Sequence, residues 1–254
     1  MISNNKKLIP LYVLFTIMCF LIVNIYNTAF KGGKFTCNRY ILNTYIYILL
    51  SLVIISVENI LLEHNNVSLN TIFGGFRGFL GILLFLFISI GLVILVMSIN
   101  PKKVFIKHLT WILLILVLGL CAYPSYLKTI KDNTVLVTLF STIAILLIFT
   151  LVAFLKPEWI SLSIGPILLF LLLGGIIAEL CFIFFNGNKN SPYERKGFAY
   201  FFIALFILFI LYDTKKLQVN AKNCKDNTVD YINESLGIVL DALNLFQNIA
   251  NVND

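Results

Sequence analysis

Eight apolar runs, most of them about as long as the roughly 20 residues that cross a hydrocarbon core as helix, follow one another through this sequence with only short polar connections. They extend from Leu8 to Phe30, Tyr40 to Leu62, Gly78 to Ser98, His108 to Leu127, Val135 to Leu155, Ile160 to Phe185, Gly197 to Tyr212 and Val229 to Ala250. In hydrocarbon every backbone N–H and C=O must find its partner inside the protein, so runs of this kind fold as helices. The expected fold is an all-α, polytopic transmembrane helix bundle. Hydrophobic residues make up 59% and charged ones 12%, where soluble domains carry about 45–50% and about 25%, and no segment is long enough to fold alone in water.

The first run is longer than the roughly 7–15 residues of a signal-peptide core. The residues after it, Lys31-Gly32-Gly33-Lys34, offer no clear cleavage site, so it reads as a retained span. The net charge of +7 does not indicate nucleic acid, because the lysines and arginines sit in short loops and form no basic face with interleaved aromatics. They read as topology determinants. The somewhat larger share, including Lys102, Lys103, Lys107, Lys215 and Lys216, falls on the side that follows Asp213, which places that loop in the cytosol. The five cysteines are scattered, odd in number and without CxxC spacing, and read as structural thiols. His64 and His108 are too far apart to suggest an imidazole metal site.

Acids inside the apolar runs carry the chemistry. Asp213 closes the run that begins near Gly197, although a helix C-terminus disfavours negative charge and hydrocarbon disfavours it more. Asp241 lies well inside the last run, where an ionised Asp costs about 2.5–3.5 kcal/mol on insertion scales. If the two helices pack as antiparallel neighbours, the carboxylates approach each other; they cannot both ionise cheaply and can share a proton. Such a pair senses pH and, charged, attracts a divalent cation. On the last helix Glu234, Gly237, Asp241, Asn244, Asn248 and Asn251 recur every three or four residues as one polar stripe. A helix lying on the membrane surface also gives a stripe, but this one has no Lys or Arg to meet anionic lipid. It is read as facing the bundle interior or an aqueous path, with Asn244 and Asn248 as lining candidates. Glu179 follows the Gly174-Gly175 pair and either lines a path or accepts a hydrogen bond from a neighbour. Glu58, nearer a helix end, reads as interfacial.

The segment Phe206 to Lys216, with Tyr212-Asp213-Thr214, and then Leu240-Asp241-Ala242-Leu243-Asn244-Leu245-Phe246, resembles the C-terminal signature of the Bax inhibitor-1 (transmembrane Bax inhibitor motif) family. The resemblance implies a seven-helix core, six helices around a central polar one, over residues 39–254. Residues 1–38 would then be an extension with an extra N-terminal helix. It also implies a pH-sensitive calcium leak channel with Asp213 and Asp241 as paired aspartates and calcium ligands, no cofactor, and calcium as the permeant ion. Members with a described latch pair an arginine at the end of the second helix with the first aspartate; near that place this chain has Asn100-Pro101-Lys102-Lys103, so Lys102 or Lys103 would serve as the latch cation.

The expected partners are the lipid bilayer, calcium ions, protons and membrane proteins of cell-death control. The expected location is an endoplasmic reticulum or Golgi membrane in a eukaryotic or viral setting, or a bacterial plasma membrane. Two other readings stay open: a non-conducting regulator acting through partners, and an intramembrane aspartyl protease. The protease reading lacks the Gly-x-Gly-Asp and Pro-Ala-Leu motifs, since this chain has Gly237-Ile238-Val239-Leu240-Asp241 and ends at Asp254.

Overall fold

Two adjacent glycines set the first change of direction. Gly32 and Gly33 take φ of 58° and 75°, a left-handed pair that a glycine adopts without steric penalty. They close a two-residue turn between β1 (Phe30–Lys31) and β2 (Lys34–Phe35), pairing Phe30 with Phe35 and Lys31 with Lys34. The computed structural model describes residues 2–68, 79–186, 192–225 and 229–253. Gly78, the start of the third apolar run, lies outside them.

All other regular structure among the described residues is helical: α1 (Ile2–Ala29), α2 (Tyr40–His64), α3 (Phe79–Ser98), α4 (Val104–Lys131), α5 (Val135–Leu155), α6 (Gly165–Asn186), α7 (Pro192–Lys222) and α8 (Tyr231–Val252), with 3₁₀ turns at Pro157–Trp159 and Leu162–Ile164. The chain is an all-α, multi-pass integral membrane protein. Among the described residues six segments are long and apolar enough to cross a membrane: α1 from Ile9, α2, α4, α5, Pro157–Phe182 and Lys196–Lys222. The last helix, α8, is not among them, because its polar stripe dilutes its hydropathy. Pro166 stands at the start of its helix and does not kink it. It is the second residue of α6, in the first turn, where the missing N–H has no intrahelical partner to lose. Pro124 does sit inside α4.

The chain divides into two units, with boundaries after Pro124, Lys222 and Leu236. The first comprises residues 1–124 and 223–236. In it α1 lies along α2, joined by Thr28, whose hydroxyl donates to Asn43 Oδ1 at 2.6 Å, and by the Asn43 amide, which donates to the Thr28 and Asn38 carbonyls. Phe35, Tyr47, His108, Trp111 and Tyr231 form an aromatic layer; the Tyr47 hydroxyl meets His108 Nε2 at 2.7 Å, and the Tyr231 hydroxyl donates to the Thr36 carbonyl. Cys37 and Cys224 are joined by a disulfide. This corrects the reading of these two cysteines as structural thiols: a separation of 187 residues hides the pair from any spacing rule.

The second unit comprises residues 125–222 and 237–254. Its core gathers Leu168, Phe202, Leu205, Phe206, Ile210, Leu245 and Ile249. Lipid tails are as apolar as this core, so close packing rather than escape from water holds such helices together. Gln218 adds a bond across helices, its Nε2 donating to the Ala153 carbonyl at 2.9 Å.

Candidate functional site

The Tyr212-Asp213-Thr214 triplet of α7 places three side chains in three settings. Tyr212 lays its hydroxyl on Gly165, at the start of α6, where a Cβ would fall 2.6 Å from the oxygen. Asp213 lays its carboxylate on Gly237 of α8, where a Cβ would fall 2.8 Å from Cγ and closer still to Oδ2. Thr214 is fully buried and its Oγ1 has no hydrogen-bond partner. Both glycines are needed because only a bare backbone admits these side chains so closely.

Asp213 does not close its helix, as the apolar run suggested. The helix continues to Lys222, more than two turns further, because residues 214–222 keep helical hydrogen bonding although they are polar. The acid is therefore a mid-helix group, seated against the backbone of α8.

Asp241 follows Gly237 by one helical turn, on the same side of α8. It is 4% exposed, its Oδ2 has no hydrogen-bond partner, and it lies within the electrostatic reach of Asp213. The fold thus brings together the two aspartates that sequence singled out. A buried acceptor without a donor is expensive, and a carboxylate facing a second carboxylate more so.

The polar stripe of α8 is its more open side. Glu234, Gly237, Asn244 and Asn248 are half-buried and Asn251 is exposed, whereas Ile238, Val239, Ala242, Leu245, Phe246 and Ile249 are buried. The amides of Asn244 and Asn248 fold back, donating to the Leu240 and Asn244 carbonyls at 2.8 Å each. Each amide spends one of its two N–H donors in this way, and its carbonyl oxygen stays available as an acceptor. Glu179 is half-buried on α6, one turn beyond Gly175, against which Phe201 and Phe202 pack.

A family model described as inhibitor of apoptosis-promoting Bax1 matches residues 37–252. The chain belongs to the Bax inhibitor family. Comparison with curated proteins gave no match. The family match covers α2 to α8 and begins after α1. Membership makes the chain a membrane protein of cell-death regulation, in a family not known for enzymes, and the aspartyl-protease reading gives way to it.

Lys102 and Lys103 are exposed in the connection between α3 and α4. The lysine the fold buries is Lys107, which sequence counted only as a loop charge. Fully buried, its Nζ lies 2.8 Å from Asp230 Oδ2 and donates to Asn233 Oδ1 and to the Val96 and Ile99 carbonyls at the end of α3. A lysine at the first turn of an apolar helix is the only sequence signal for it, and its side-chain partners, Asp230 and Asn233, lie more than a hundred residues away.

Proposed function

We propose that this member of the Bax inhibitor family is a pH-sensitive calcium leak pathway in which Asp213 and Asp241 share a proton and together decide whether cations pass. The observation that carries the reading is the seat of Asp213 on Gly237, one turn from the buried and donor-less Asp241. With a proton between them the carboxylates hold α7 against α8. Without it they repel, and the seat loses its attraction. The open stripe of α8, with the side-chain oxygens of Asn244 and Asn248, supplies polar atoms along a route, and calcium prefers oxygen ligands. Calcium is the permeant ion in this scheme, with Asp213 and Asp241 as its transient ligands.

Calcium efflux from liposomes holding the purified protein tests the reading as a function of pH. The parent is expected to show a pH-dependent efflux that Asp213→Asn and Asp241→Asn each flatten, since an amide keeps the shape but cannot share the proton. Efflux that follows pH identically in all three proteins removes the sensor role. Absence of protein-dependent efflux from all of them leaves a non-conducting regulator.

A further inference from the structure

A second acid is seated on a second glycine, wholly within the first unit. Helices α2 and α4 run side by side in the same direction. Tyr47 meets His108, and three turns further along both helices, about 16 Å, Glu58 meets Gly119. A Cβ on Gly119 would fall 2.9 Å from Glu58 Cδ and closer still to Oε2. Glu58 is therefore pressed onto the backbone of α4, not turned out to the interface as its place near the end of α2 suggested. Its Oε2 is buried without a hydrogen-bond partner. Asn59, the next residue and 4% exposed, likewise has an Oδ1 without a donor.

The neighbouring hydrogens are committed elsewhere. Ser89 Oγ donates to the Phe85 carbonyl at 2.7 Å, so in its 3.6 Å contact with Cys121 the thiol is the donor. Among the described residues, Cys121 lies within the electrostatic reach of Glu58. No cationic side chain pairs with Glu58 there. Calcium takes about 6–8 oxygen ligands, far more than one carboxylate, one amide and one hydroxyl provide. A proton needs only one oxygen, and Glu58 Oε2 is buried with no other partner.

We propose that Glu58 is a membrane-embedded proton-binding site, held as the neutral carboxylic acid and separate from the aspartate pair. A carboxylate in hydrocarbon with no partner is costly, and taking up a proton removes the charge where it stands.

Dicyclohexylcarbodiimide, an apolar reagent that modifies protonated carboxyls, tests this on the full-length protein in liposomes, with the modified residue located by peptide mass. Glu58 is expected to be modified at about pH 6 and several-fold less at about pH 9, because only the protonated form reacts. A water-soluble carbodiimide is expected to leave it untouched. Modification is expected to persist in the Asp213→Asn/Asp241→Asn double variant, which separates this site from the proposed leak. Three results overturn the proposal: no modification of Glu58 at either pH, equal modification by the water-soluble reagent, or loss of modification in the double variant. The parent protein alone gives the first two, so no variant has to fold for the proposal to fail.

Discussion

Replacing Gly237 with alanine probes the aspartate seat without touching either aspartate. The new Cβ would lie 2.8 Å from Asp213 Cγ, against about 3.5–4.0 Å for an ordinary carbon–carbon contact, so the carboxylate must retreat by about 1 Å. Overpacking of this size costs about 1–3 kcal/mol, and the helix propensity of alanine over glycine returns about 1 kcal/mol. The net loss of stability is expected at about 0–2 kcal/mol, with Asp213 displaced from Asp241. Gly91→Ala in α3 is the matched control, because a Cβ there meets nothing within 4 Å and only the propensity gain remains. Thermal unfolding in detergent and calcium efflux against pH read the two effects. Gly237→Ala is expected to unfold at or below the parent's temperature and to flatten the pH profile, while Gly91→Ala gains stability and keeps the profile. If Gly237→Ala behaves as Gly91→Ala does in both assays, the seat has no role.

Lys107→Met leaves Asp230 without its cation and is expected to destabilise the protein by about 3–5 kcal/mol, with much of the loss recovered in Lys107→Met/Asp230→Leu; thermal unfolding of the three proteins decides it. Gln218→Leu removes the bond to the Ala153 carbonyl and is expected to cost about 1 kcal/mol in the same assay. Cys37→Ser and Cys224→Ser are each expected to abolish a reduction-dependent shift in gel mobility that the parent shows, and to lower stability by about 2–5 kcal/mol. Stable disulfides belong to oxidising compartments, so the loops bearing Cys37 and Cys224 are expected on the luminal or exterior face, opposite to the narrow lysine and arginine count. After reduction, an impermeant maleimide labels them from outside intact cells if the face is exterior, and inside sealed organelle vesicles only after the vesicle membrane is opened if it is luminal; labelling from the cytosolic side of sealed vesicles restores the cytosolic assignment.

The spans were legible because hydrocarbon leaves the backbone one local solution, and hydropathy along the chain records it. Val135–Leu155 agrees to the residue. Ends were less legible where polar residues continue a helix: α7 runs past Asp213 to Lys222 on hydrogen bonds that hydropathy does not see. The two aspartates could be paired from sequence because each is anomalous where it stands and the helices are consecutive. Lys107 could not, since lysines at span ends are ordinary and its partners Asp230 and Asn233 are remote. Glu58 was passed over for a related reason: distance from a helix end measures depth along α2, whereas its burial comes from the bare backbone of Gly119 on another helix.

The Cys37–Cys224 bond turns the polypeptide from α2 to α7 into a covalent ring, with α1 and α8 as its two tails. During synthesis the ring cannot close until α7 has emerged, so its formation marks a late stage of assembly. Once closed, a protease that nicks any single loop inside it releases no fragment until the bond is reduced.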